Sequence, residues 1–199
     1  MEEEKILQNM PDKDAKYKAE IEKGKNITIQ YTQLLHTNIT NCRLYLNSVI
    51  NTTKNFNVSV NGNLFEISDC IKSLSLAKAW LGKSLGVIGY ETPYKNDGER
   101  KTVDDIEPES DTFPETIKFE GSLIEFFDQL REEIKIVYIR VIEIETLYSN
   151  YLLEIDDVHV ETELINDLTI ELLHTKAKLE EARMICGFML GQIRDNQKK

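Results

Sequence analysis

Ten apolar positions, Leu123, Phe127, Leu130, Ile134, Val137, Val141, Ile144, Tyr148, Tyr151 and Ile155, follow one another at alternating steps of four and three. Side chains at that spacing fall on one face of an α-helix. The pattern predicts one continuous helix from Ser122 to about Asp157. At about 1.5 Å per residue it runs on the order of 50 Å, longer than a small core needs. A partner of similar length must therefore lie along it. Ser122 and Glu125 fit a capping box at its start, the serine oxygen accepting from a free N–H and the glutamate reaching back.

The same periodicity predicts three further helices. From about Asp14 to Val49, Thr28, Thr32, Leu35, Ile39, Cys42, Leu46 and Ile50 share a face. A second helix begins near Asp69 and carries Ile71, Leu74, Leu81, Leu85 and Ile88. Gly89 suits its left-handed C-cap, and Pro93 blocks its resumption. A last helix holds Leu164, Leu168, Leu172, Thr175, Leu179, Ala182, Cys186, Met189 and Ile193. Between the first two, Phe56, Val58 and Val60 alternate with polar residues before Asn61-Gly62, which predicts a small β-hairpin near 56–65. Residues 91–115 hold three of the four prolines, and nine acidic residues against Lys95, Arg100 and Lys101. The chain thus reads as all-α, built of long antiparallel helical hairpins in a helix bundle. The first hairpin falls in 1–90, an acidic linker in 91–115, and the second, longer hairpin in 116–199.

The two hairpins carry a common pattern. Leu74, Ala77, Lys78, Gly82, Leu85, Gly86 and Ile88 recur 105 residues later as Leu179, Ala182, Arg183, Gly187, Leu190, Gly191 and Ile193. This predicts an internal duplication. Glycine inside a helix costs about 1 kcal/mol against alanine. The expected reason for tolerating it is close approach of another backbone at Gly82/Gly86 and Gly187/Gly191.

Composition narrows the function classes. A net charge of −11 opposes binding to nucleic acid polymers and anionic membranes. No run of apolar residues is long enough to span a bilayer, and the N-terminus lacks a signal-peptide pattern, so a cytoplasmic protein is expected. Cys42, Cys70 and Cys186 are scattered, which predicts buried reduced thiols rather than a disulfide frame or zinc site. His36, His159 and His174 show no metal-ligand spacing. Gly82-Lys83-Ser84 lacks the earlier glycine of a phosphate-binding loop. Glu125/Asp128 and Glu154/Asp157 have the spacing of magnesium-holding pairs but lie at opposite ends of one helix. No catalytic set is identifiable and no cofactor is implied, so an enzyme is not expected.

One stretch carries a family likeness. Leu76-Ala77-Lys78-Ala79-Trp80-Leu81-Gly82-Lys83-Ser84-Leu85-Gly86, then Pro93-Tyr94-Lys95, then Ile106-Glu107-Pro108-Glu109-Ser110-Asp111, resembles a pattern in phage and prophage helical-hairpin proteins. These include the viral anti-CBASS and anti-Thoeris sponges. The resemblance covers roughly residues 70 to 111. It implies a homo-oligomer of helical hairpins that sequesters a cyclic nucleotide signal without cleaving it, in the cytoplasm of a bacterial host if phage-encoded. This chain departs from that pattern by its length, acidity and duplication.

A cyclic nucleotide needs a flat apolar face for its base and donors for its phosphates. Trp80, Tyr94, Lys83, Lys95, Arg100 and Lys101 are the candidate ligand-binding residues. The alternative is a helical module that binds a host or defence protein and takes no small ligand. A metal-dependent nucleotide hydrolase is a weaker third. The first reading needs a local positive pocket for phosphate, which the overall acidity of the chain opposes and the loop around Pro93 favours.

Overall fold

The computed structural model describes residues 10–59, 65–90, 121–156 and 165–197. They form four helices: α1 (Met10–Ser59), α2 (Phe65–Val87), α3 (Leu123–Asp156) and α4 (Thr169–Asn196). No strand occurs among the described residues. The predicted hairpin near 56–65 is therefore corrected where it can be seen. Residues 56–59 are the last turn of α1, Phe65 opens α2, and Asn61-Gly62 lies outside the described residues. Tertiary packing overrides the local alternation here. The ring of Phe56 stacks on Phe126 of α3, 3.7 Å between centroids and 5° from parallel. The Ser59 hydroxyl donates to the Phe56 carbonyl at 2.7 Å.

Each helix touches two others, in the ring order α1–α2–α4–α3. Paired residues give the directions. On α1 and α3, Tyr31 donates to Glu154 at 2.6 Å and Phe56 meets Phe126, so the two run antiparallel. On α1 and α2, Lys78 donates to Asn47 and His36 stacks on Tyr90. On α2 and α4, Cys70 faces Cys186 and Trp80 faces His174. On α3 and α4, Lys176 donates to Glu145 and Arg194 to Asp128. All neighbours are antiparallel, so α2 and α3 point the same way across the diagonal. The chain between Tyr90 and Gly121 therefore joins opposite ends of the bundle.

All four helices feed one core. The α3 stripe is buried from Phe127 to Ile155, at the heptad positions of the sequence pattern. Its predicted cap is present: the Ser122 N–H donates to the Glu125 carboxylate at 2.6 Å, and the Glu125 N–H to the Ser122 hydroxyl at 3.4 Å. Gly121 precedes it at φ +118°, and a Cβ there would collide with the Glu125 carboxylate. Gly89 ends α2 as expected, at φ +87°, with the Tyr90 N–H returning to the Leu85 carbonyl at 2.9 Å and the Gly89 N–H to Gly86 at 3.1 Å. That pairing is a Schellman motif.

The repeated pattern has a structural counterpart. The buried residues of α4 are Leu172, Thr175, Leu179, Ala182, Cys186, Met189 and Leu190. Each has a buried counterpart 105 residues earlier in α2: Ile67, Cys70, Leu74, Ala77, Leu81, Ser84 and Leu85. The two helices pack on each other, with Leu74 and Leu179 in the middle of the contact. The expected backbone approach at the later glycines is not present. A Cβ at Gly191 would meet nothing within 4 Å, and one at Gly187 would meet only the Arg131 guanidinium at 4.0 Å.

The groove between the second and fourth helices

The outer edges of α2 and α4 leave a groove of about 500 Å³ between them. Helical spacing sets its walls. Asp69, Lys72, Ser73 and Leu76 rise along α2, and Lys178, Glu181, Met184, Ile185 and Phe188 descend along α4. Trp80 and His174 continue the same two stripes by one turn, and their rings close the groove at that end by stacking 4.3 Å apart. The Lys83 ammonium lies 3.9 Å from the Trp80 ring centroid.

The apolar walls are unusually open to solvent. Met184 is 69 % exposed, Phe188 61 % and Leu76 40 %. Between them stand cations and carboxylates in near balance. Lys178 bridges Glu181 at 2.5 Å. That hydrogen bond holds the Glu181 carboxyl below the usual glutamate range, with Ser73 and Lys72 adding to the effect. Glu66 and Asp69 supply two further carboxylates at the far end.

Of the predicted site residues, α2 places Trp80 and Lys83 together beside this groove. Trp80 is half-buried, and its ring is already engaged by His174 and Lys83. Tyr94, Lys95, Arg100 and Lys101 lie outside the described residues, as does the rest of the 91–115 linker. The sequence reading missed Lys72, His174, Lys178, Met184 and Phe188. Met184 and Phe188 were findable: they fall one turn apart, off the buried stripe of the last helix.

Of the acids considered for magnesium, Asp157 lies outside the described residues and the other three are otherwise engaged. Glu125 caps α3, Asp128 pairs with Arg194 at 3.1 Å, and Glu154 accepts from Tyr31. Among the described residues no group of three His, Cys, Asp or Glu side chains could hold a metal ion. No described helix is long and apolar enough to cross a membrane. Burial pushes the Cys42 thiol up to about 12, which keeps it protonated and unreactive.

Among the described residues, the fold and groove define an all-α four-helix bundle with an amphipathic groove between α2 and α4. Compared with known proteins, the chain matches no family model, no curated sequence and no solved structure.

Proposed function

We propose that this protein sequesters a cyclic nucleotide signal without cleaving it, and that the α2–α4 groove receives the ligand. The observation that carries the reading is the placement of exposed Phe188 and Met184 in one groove with Lys72 and Lys178. The open ring face of Phe188 suits a base, and the ammonium groups suit phosphate. The segment that resembles the sponge proteins starts at Leu76 on the α2 wall and runs on to Trp80, whose ring stacks on His174 at the end of the groove. Those proteins bind between protomers, and here the junction of two like hairpins stands for that boundary. Tyr94, Lys95, Arg100 and Lys101 remain the proposed contacts from the chain that follows α2.

A phosphate entering the groove exchanges with Glu181 at Lys178. Glu181→Gln is therefore expected to strengthen binding, and Lys72→Glu to weaken it, more at low salt than at high salt. Loss of a base–aromatic stack is worth roughly 1–3 kcal/mol, so Phe188→Ala should weaken binding about 10- to 100-fold. Native mass spectrometry with cyclic dinucleotides, cyclic trinucleotides and cyclic ADP-ribose isomers reports ligand, fate and oligomer in one measurement. Calorimetry on the folded variants then locates the site.

The second reading is a docking surface for a protein helix. The ridge of Leu76, Met184, Ile185 and Phe188 favours it, since such ridges anchor amphipathic helices. Absence of binding with the whole nucleotide panel would put this reading first.

A further inference from the structure

Beneath the groove, two cysteines from different hairpins face each other. The Cys70 and Cys186 sulfurs lie 3.8 Å apart, and both residues are fully buried. Cys70 Sγ also lies 3.8 Å from the Ala182 carbonyl oxygen. The small side chains of Ala77 and Ala182, both buried, allow α2 and α4 to approach this closely. Asp69 and Ile185, next to the cysteines in sequence, line the groove along with Ser73. The pair therefore sits one layer under the groove floor, and separation of the two helices there is the route by which a reagent reaches it.

We infer that Cys70 and Cys186 form a reversible disulfide that ties the first hairpin to the second. A disulfide bond is about 2.05 Å long, and rotation about the two Cα–Cβ bonds plus a small approach of the helices closes the gap. The oxidant is a small-molecule disulfide. One cysteine loses its proton and its thiolate attacks the reagent, forming a mixed disulfide and releasing one thiolate. The second cysteine, deprotonated in turn, attacks the protein sulfur of that mixed disulfide and expels the other. Two protein thiols and one reagent disulfide become one protein disulfide and two reagent thiols.

The third thiol does not compete. Cys42 lies on α1, which packs on α2 and α3 but not on α4. Its environment is set by Arg140 and Glu143 of α3. The hydrogen bond with Cys186, and then burial, keep the Cys70 thiol protonated in the closed bundle, so reaction is slow and gated by opening rather than spontaneous.

The test uses the folded full-length protein incubated with oxidised glutathione. Intact mass and peptide mapping without reductant should show loss of two hydrogens and a single Cys70–Cys186 link, with Cys42 free. Closing so long a loop should raise Tm by roughly 5–10 °C, reversed by dithiothreitol. Cys42→Ser should behave like the wild type, and Cys186→Ser should show no link and no rise in Tm. Three results would each overturn the inference: a folded protein that keeps all three thiols while its unfolded form is oxidised, a link that includes Cys42, or a link formed only in denaturant.

Discussion

The Trp80 indole and the His174 imidazole stack 4.3 Å apart and 16° from parallel, joining α2 to α4 at the edge of their contact. Trp80 is the only tryptophan in the chain, so its fluorescence reports this contact. His174→Ala should shift the emission to longer wavelength. Stacked pairs contribute about 0.5–1.5 kcal/mol beyond burial, and the loss of stability should fall at the lower end because His174 is exposed. Unchanged emission would place the indole elsewhere.

The cap on α3 carries a pH dependence of definite sign. The Ser122 N–H, followed by the Ser122 hydroxyl, holds the Glu125 carboxyl below its ordinary value. A carboxyl whose folded pKa is lowered adds stability above its unfolded pKa, and that stability is lost as pH falls through the folded value. Glu125→Gln should therefore lower Tm at neutral pH and converge with the wild type in acid. Ser122→Ala should cost roughly 2–4 °C in Tm at neutral pH. Parallel pH profiles for wild type and Glu125→Gln would show that the carboxylate contributes nothing.

Gly191→Ala tests whether the helix tolerates its glycine for no reason within the protomer. A Cβ there has open space, and alanine is favoured over glycine by about 1 kcal/mol in a helix interior. The substitution should raise the midpoint of thermal unfolding. A fall would mean that something approaches this surface in solution, and concentration-dependent sedimentation would then identify a second copy.

Leu74 and Leu179 occupy matching positions, both fully buried at the α2–α4 contact. Truncating a buried leucine to alanine costs about 2–5 kcal/mol, depending on how far the site collapses. If the two hairpins are structural equivalents, Leu74→Ala and Leu179→Ala should cost the same within about 1 kcal/mol in urea unfolding. A larger difference would separate their environments.

Much of this architecture was legible in the residues. The heptad stripe of α3, its cap, and the glycine ending α2 are local signals. Each reports a helix face or a backbone conformation without tertiary help. The end of α1 was not legible, because the stack of Phe56 on Phe126 comes from a residue 70 positions away in sequence. The repeated pattern does fall on matching buried positions of α2 and α4, but the close crossing expected of it is not found at Gly187 and Gly191. Periodicity shows that two segments share a face, but not what lies opposite it. The groove was half legible: Trp80 and Lys83 belong to one helix, whereas Phe188, Lys178 and His174 arrive through the packing of α2 on α4.

The two hairpins meet through α1 with α3 and α2 with α4, contacts that are distant along the chain. Each hairpin by itself leaves open to water the apolar surface that it buries against the other. The covalent connection between Tyr90 and Gly121 therefore keeps the two halves in one molecule, so that each finds the other at an effective concentration that dilution does not change. Cleaving that connection would turn a unimolecular fold into a bimolecular one. Its melting temperature would then rise and fall with dilution.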